Sequence, residues 1–512
     1  MSRKVKKFVM YNNIIDYLID SAETYPDKVA FKDAHKSITF HELKERSQSV
    51  ASKIIAAFGE IKNQPIAVYM EKSVDMLCAF MGIAYSGNFY SPIDIKSPQT
   101  RVENILETLD PIAVIATKDK TPNFNNHCAI VWYEDAIEEK RYANLEKHRR
   151  QILDTDPLYV LFTSGSTGKS KGVTISHRGV IDYIEWLYNT FHFDSSTVFG
   201  NQAPFYFDNS ILDIYSTLRN GSTMVIIPEH LFTFPVKVLE FINEHRINTI
   251  FWVPSALSGI ANAKALEKIP LEYIQKVLFC GEVMPNKQLN EWRKHYPEAL
   301  YANLYGPTEI TDVCAYYIVN RTFSDDEPLP IGKACENMEI LVLNDKNELV
   351  QGEEKGELCV RGCGVSMGYY RNDEKTSTVF VQNPLNSRYR DIIYRTGDIV
   401  KYNEYGELVY LTRKDFQIKH QGHRIELGEI EVAATSISGV NQSCAMYDDK
   451  NKRIVLFYTT GGEVSDKMLY QELKTKVPTY MLPTLIKKLD NFKLNLNGKI
   501  DRVSLKQDYF EK

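Results

Sequence analysis

Leu161-Phe162-Thr163-Ser164-Gly165-Ser166-Thr167-Gly168-Lys169-Ser170-Lys171-Gly172-Val173 follows an apolar run and packs three glycines, three serines, two threonines and two lysines into one stretch. Small hydroxyl side chains and glycines let backbone N–H groups close on an anion, and the lysines add positive charge. Gly168-Lys169-Ser170 ends like a Walker A loop. That pattern, G-x-x-x-x-G-K-[ST], needs glycine at position 163, where this chain has Thr163. The stretch therefore reads as a phosphate grip of another kind. Taken alone it is equally a solvated Gly/Ser turn.

With 512 residues, more than one domain is expected. A hydrophobic content of 44% and a charged content of 25% place the chain among soluble globular proteins. The formal net charge of -5 argues against a nucleic-acid partner, which favours a basic surplus. The basic start lacks the apolar run of a signal peptide, and no stretch is long enough for a membrane span. The eight cysteines are scattered without a paired CxxC set, which argues against zinc and for reduced thiols in a cytoplasmic protein.

Strand and helix patterns alternate through the first four hundred residues. Helices are expected over Asn13–Ala22 and His41–Phe58, and a hairpin over Val29–Phe31 and Ser37–Phe40. Buried strands are expected at Pro65–Tyr69, Ile112–Ala116, Met224–Ile227, Thr249–Val253 and Lys276–Phe279. The fold class is α/β, with parallel sheets flanked by helices. From about Ile331 short strands separated by Gly and Asn predict a β-rich part (Glu339–Leu343, Gly356–Arg361, Gly406–Leu411). A boundary near Arg413–Phe416 separates a core of residues 1–414 from a small α+β domain of residues 415–512, with a helix at Leu427–Ser436 and a strand at Arg453–Thr459.

Other segments line up with the glycine loop in a fixed order: Ile38–Leu43, Ser91–Asp94, Phe207–Ser210, Tyr305–Glu309, Tyr394–Asp398, Asp415–Lys419, Arg424–Glu431 and Asn497–Arg502. The ordered set resembles the adenylate-forming superfamily, and within it the amino-acid adenylation domains of nonribosomal peptide synthetases, over nearly the whole chain. That resemblance implies ATP and Mg²⁺, a carboxylate joined to the α-phosphate, and pyrophosphate expelled. Thr163, Ser164, Gly165, Ser166, Thr167, Gly168 and Lys171 would wrap the β- and γ-phosphates. Thr308 offers a hydroxyl to the α-phosphate and Glu309 a hard oxygen to Mg²⁺. Tyr305 would flank adenine, Asp398 would accept from the ribose hydroxyls, and Arg413 would reach ribose or phosphate. Read without the resemblance, Tyr305–Glu309 is a proline-containing turn and Asp398 a turn aspartate.

Lys499 sits in an Asn-Gly-Lys turn, where a lysine by itself is simply solvated. The resemblance makes it a catalytic residue, with Thr308 and Glu309, that enters the site as charge develops. It also implies a hinge at Asp415. One orientation of the small domain would insert Lys499. The other would present Gly422 and its neighbours to a phosphopantetheine thiol.

Asp208 matches the aspartate that pairs with a substrate α-ammonium, although it also suits a helix N-cap. Phe279-Cys280-Gly281-Glu282 resembles the D-alanine–D-alanyl carrier protein ligases, in which the cysteine shapes a small pocket. Cys280 is equally suited to be an ordinary core cysteine. Nothing condensation- or carrier-like occurs in the chain, which ends soon after Lys499. The expectation is a monomeric stand-alone enzyme that loads D-alanine onto a separate carrier protein, as in teichoic acid D-alanylation. Asp312, and with it Asn209, raises a competing expectation: an acidic residue facing the pocket would favour a polar or cationic amino acid. An acyl-CoA synthetase and a non-catalytic nucleotide-binding module compete with both.

Overall fold

The apolar run before the glycine loop is a strand, Pro157–Thr163, and the chain returns antiparallel to it as Lys171–Ser176, with Thr163 opposite Lys171. The stretch thus connects two antiparallel strands, whereas a Walker A loop leads from a strand into a helix. The β-branched residues Val173, Thr174 and Ile175 favour the returning strand. Gly172 lets it close, because a Cβ there would lie 2.7 Å from Val160 Cγ1. The computed structural model describes residues 11–120, 128–140, 142–165, 170–415, 417–493 and 500–510.

Among the described residues this hairpin ends a six-stranded sheet in the order Ala129–Trp132, Ala113–Ala116, Pro65–Tyr69, Phe89–Pro92, Pro157–Thr163, Lys171–Ser176, parallel up to its last pair. A second sheet of nine strands has a parallel centre: Leu300–Tyr305, Lys276–Phe279, Thr249–Trp252, Val198–Asn201, Thr223–Ile226 and Val29–Lys32. Antiparallel strands close both of its edges. Helices cover the sheets, so the central strands are buried on both faces and read as unbroken apolar runs. One large core holds Phe31, Val68, Leu158, Phe199 and Leu278, drawn from both sheets. The helix Val74–Tyr85 belongs to it and is buried on every side except at Asp75.

From Met338 the architecture changes to a five-stranded antiparallel sheet: Met338–Leu343, Gly356–Gly362, Ile392–Tyr402, Phe380–Gln382 and Leu408–Arg413. After Asp415 come a hairpin, Gln417–His420 with His423–Glu426, the helix Leu427–Thr435 and a three-stranded sheet of Val440–Asp448, Arg453–Thr460 and Leu485–Lys488. These last elements pack around their own core of Ile430, Leu456, Tyr458 and Leu469. Observed elements lie within two residues of the expected bounds. The strand expected at Gly406–Leu411 is shifted at both ends, because pairing with Ile392–Tyr402 starts it at Leu408 and carries it on to Arg413.

The first segment of the ordered series has a structural reason. Thr39 and Glu42 form a capping box at the start of the helix Phe40–Phe58: Glu42 N donates to Thr39 Oγ1 at 3.2 Å and Thr39 N donates to Glu42 Oε2 at 2.8 Å. Thr39→Ala is expected to cost about 1 kcal/mol. Thermal denaturation should show a melting temperature a few degrees lower, with nucleotide binding unchanged.

Candidate functional site

The strand Leu300–Tyr305 runs into the turn Gly306-Pro307 and then a single tight turn, Thr308–Ile310. A Cβ on Gly306 would fall 2.2 Å from the Asp312 backbone oxygen, so the chain can fold back here only with glycine. Thr311 and Asp312 complete the reversal in the left-handed region, at φ 59° and 74°. The turn points Thr308 at Asp208, with Thr308 Oγ1 donating to Asp208 Oδ2 at 2.5 Å. Asp208 heads the helix Asn209–Asn220, and its Oδ1 accepts from Asn209 N at 3.0 Å. One oxygen thus serves the helix end and the other accepts from Thr308 at the cavity edge. Burial raises the carboxyl above its ordinary value, while Thr308 and Lys419 oppose the shift.

Glu309 is fully buried and carries the densest set of contacts. Arg424 Nη1 lies 2.6 Å from its Oε2, Lys171 Nζ 3.3 Å from its Oε1, and Tyr369 donates its hydroxyl to Oε1 at 2.8 Å. Burial alone would raise this carboxyl. The two cations and the Tyr369 hydroxyl outweigh it and hold Glu309 ionised, well below the usual carboxylate range. Lys171 responds in the opposite sense: burial and the Arg424 charge pull it down to about 8, against the pull of Glu309.

Asp398 lies at the irregular middle of the strand Ile392–Tyr402. It accepts from the Tyr305 hydroxyl on one oxygen and from Arg413 Nη1 at 2.6 Å on the other. The rest of the Arg413 fork holds Asp415 through Nε at 2.7 Å and Nη2 at 2.9 Å. Asp415 Oδ1 also accepts from Gln417 N at 3.2 Å. One guanidinium thus ties the end of the strand Leu408–Arg413 to the residue that begins the last segment.

Between these groups lies a cavity of about 50 Å³ bordered by Thr163, Phe207, Asp208, Thr308, His423 and Tyr480. The hairpin Gln417–Glu426 forms one wall. Ser164 Oγ donates to the Arg424 carbonyl at 2.7 Å and accepts from Glu426 N at 3.2 Å. Gly422, at φ 79°, donates its N–H to Glu282 Oε1 at 2.9 Å, and a Cβ there would strike Val253 Cγ1 at 2.6 Å. The His423 ring stacks on Tyr480 with centroids 3.6 Å apart, and burial, His420 and Arg101 lower its pKa to about 3, leaving it neutral. A buried ion pair between Arg101 and Glu429 fixes the helix behind the hairpin. Thr163 Oγ1 is buried and has no partner among the described residues.

Cys280 follows the strand Lys276–Phe279 and is 1% exposed, with its thiol pushed well up by burial and the Asp312 carboxylate. Asp312 is turned inward: Tyr183 donates its hydroxyl to Asp312 Oδ2 at 2.7 Å. Burial and the nearby Asp208 push the Asp312 carboxyl well above its ordinary value. The Nδ2 of Asn209 is buried without a partner among the described residues. Gly165 is buried beside Ser164, while Ser166, Thr167, Gly168 and Lys499 lie outside the described residues.

The site thus gathers Thr163, Ser164, Asp208 and Thr308 around one cavity, sets Glu309 and Lys171 behind its Arg424 wall, and places Tyr305, Asp398 and Arg413 in a network of their own. Three of its members carry no role in the sequence reading: Tyr369, Arg424 and Tyr480. Arg424 lies in the quoted Arg424–Glu431 segment, but nothing in spacing alone aims its side chain at Glu309.

Buried polar and charged groups set around one cavity on paired α/β sheets fit a nucleotide-binding enzyme of the adenylating kind. Residues 18–370 match the family described as AMP-binding enzyme, and the chain belongs to it. It is 32% identical to the D-alanine--D-alanyl carrier protein ligase of Listeria monocytogenes, over 98% of this chain and 99% of that one. It is also 32% identical to the ligase of the same name from Lacticaseibacillus paracasei, over 97% of this chain and 99% of that one. Among solved structures, an NRPS protein containing adenylation and PCP domains, bound to a vinylsulfonamide inhibitor, shares the fold with a TM-score of 0.84 and 22% identity, over 97% of this chain and 84% of that one.

Lys171 gives the site a pH dependence. Its charge is lost as pH rises through about 8, which removes a cation from the anion-binding side. AMP, a dianion throughout that range, is expected to bind about three- to tenfold more weakly at pH 9.5 than at pH 7 by calorimetry. Lys171→Arg, which keeps its proton, should flatten the profile, and an unchanged slope in that variant would place the titration elsewhere.

Proposed function

We propose that this chain activates D-alanine with ATP as an aminoacyl-adenylate and transfers it to the phosphopantetheine thiol of a separate carrier protein. The observation that carries the reading is the Thr308–Asp208 contact at 2.5 Å, which sets a carboxylate for an α-ammonium beside a hydroxyl for a phosphate oxygen. Full-length relatives of 32% identity that bear the D-alanine ligase name support the substrate and the acceptor.

In the first reaction a carboxylate oxygen of D-alanine attacks the α-phosphorus. The bond to the bridging oxygen breaks and pyrophosphate leaves. Asp208 holds the ammonium and so orients the carboxylate. Thr308 donates to the α-phosphate, and Ser164, Lys171 and the rest of their loop neutralise the outgoing phosphates. Tyr305 flanks adenine, while Asp398 and Arg413 turn towards ribose. Thr163 Oγ1, buried and without a partner among the described residues, is suited to a phosphate oxygen. Glu309, buried and held ionised, has the chemistry of a hard-cation ligand, and Mg²⁺ bound there would supply charge to the phosphates. In the second reaction the thiol sulfur attacks the acyl carbon, the thiol proton passes to solvent, the acyl–oxygen bond breaks, and AMP leaves.

Asp312 bears on the amino acid. A charged acid in the pocket would favour a cationic side chain. Here the carboxyl is held by Tyr183, and burial and Asp208 push it well above its ordinary value, which disfavours its charged form. Cys280 beside it is small and apolar, which suits a methyl group. Residues 1–414 form the core and 415–512 a domain that turns about Asp415. The contacts of Gly422, His423 and Arg424 with the cavity support reading this arrangement as the one for thiol transfer, and in the other Lys499 enters the site.

ATP–pyrophosphate exchange with a panel of D- and L-amino acids tests the reading. D-Alanine is expected to drive exchange, and Asp208→Ala and Lys499→Ala should each lower it by about a hundredfold or more. Exchange driven by another amino acid, with none from D-alanine, would overturn the substrate. Full exchange in Asp208→Ala would overturn the ammonium contact.

A further inference from the structure

Arg424 and Ser164 show a second property of the site, which rests on the reading of Glu309 as a metal ligand. Both oxygens of Glu309 are occupied. Arg424 Nη1 holds Oε2 at 2.6 Å, and Lys171 Nζ and the Tyr369 hydroxyl hold Oε1. Arg424 is itself held, with its Nε donating to Gln417 Oε1 at 2.6 Å. The hairpin that carries it also consumes Ser164 of the phosphate loop, whose hydroxyl both donates to the Arg424 carbonyl and accepts from Glu426 N. The docked hairpin therefore takes up the two groups that a metal-bound polyphosphate needs.

We infer that Arg424 and a divalent cation are alternative occupants of Glu309, so that docking of the Gln417–Glu426 hairpin and binding of the metal exclude each other. A small divalent ion sits about 2.0–2.1 Å from a carboxylate oxygen and brings ordered waters with it. A guanidinium on that oxygen takes the same space, and its charge repels the ion at a few ångströms in a buried site. Two cations already face one carboxylate there. The coupling is reciprocal: whatever the hairpin subtracts from metal affinity, the metal subtracts from hairpin docking. Arg424 acts here as a positioning residue. With no metal bound, it supplies positive charge to Glu309 and so holds the hairpin in place.

The test uses the full-length, nucleotide-free protein and Mn²⁺ alone as the probe. Electron paramagnetic resonance titration is expected to show Arg424→Gln binding Mn²⁺ at least tenfold more tightly than the unaltered chain, with Glu309→Gln losing that site. Hydrogen exchange supplies the second measurement. Saturating Mn²⁺ should speed exchange of the 417–426 peptide, including the Gly422 and Glu426 amides, in the unaltered protein and leave it unmoved in Glu309→Gln. Arg424→Gln binding no tighter, or a hairpin whose exchange ignores bound Mn²⁺, overturns the inference while leaving Glu309 as a metal ligand. Mn²⁺ binding that survives intact in Glu309→Gln overturns the inference together with the metal assignment. Neither outcome touches the amino-acid assignment, which the exchange panel reads separately.

Discussion

A fully buried carboxylate kept in its charged form is the constraint around which this site is organised. Isolated, Glu309 would take up a proton rather than remain ionised out of water. It stays charged because Lys171, Arg424 and Tyr369 surround it. Those three come from different parts of the fold: the return strand of the phosphate hairpin, the hairpin after Asp415, and the segment after Gly368 that bonds to the strand Lys171–Ser176 through Thr174 N and the Gly368 carbonyl. Charge balance at one side chain thus joins three pieces of chain separated widely in sequence. Removing either cation leaves a buried charge poorly compensated, a costlier defect than the loss of a surface pair.

The Arg413 fork does comparable work at the boundary. It joins Asp398, in the strand Ile392–Tyr402, to Asp415, which begins the last segment. Asp398 and Asp415 could not face each other across so short a span without a cation between them. A planar guanidinium can bond both carboxylates at once, which an ammonium could not do with the same geometry. The position that the sequence marks as a hinge therefore lies one guanidinium away from the residue expected to read the ribose.

Much of the architecture could be read from the sequence because the sheets are parallel and buried on both faces. Strands such as Thr249–Trp252 and Lys276–Phe279 carry unbroken apolar runs, and the alternating helices mark their ends. Asp208, Thr308, Glu309 and Lys171 were also legible, since each stands in a short segment of unusual composition. The partners of Glu309 were not. Tyr369 and Arg424 meet it from sequence separations of 60 and 115 residues, and neither period nor propensity encodes such a meeting. The orientation of Asp312 was hidden for another reason. It depends on two consecutive left-handed residues, Thr311 and Asp312, neither of them glycine, and on a tyrosine from a distant helix.

That inward turn gives two buried acidic residues different partners. The Asp208 charge is felt at Asp312, and burial opposes ionisation of both. Two such carboxylates do not ionise together cheaply. Asp208 has Thr308, Lys419 and the head of a helix to favour its charge, whereas Asp312 is held by the Tyr183 hydroxyl. Burial pushes the Asp312 carboxyl well above its ordinary value, whereas Thr308, Lys419 and the Asn209 N–H oppose the rise at Asp208. The two carboxyls thus stand in different settings: Asp208 bonds Thr308 and a helix end, and Asp312 bonds Tyr183. The backbone reversal after Glu309 produces both results, because the same turn that aims Thr308 at Asp208 rotates Asp312 away from it.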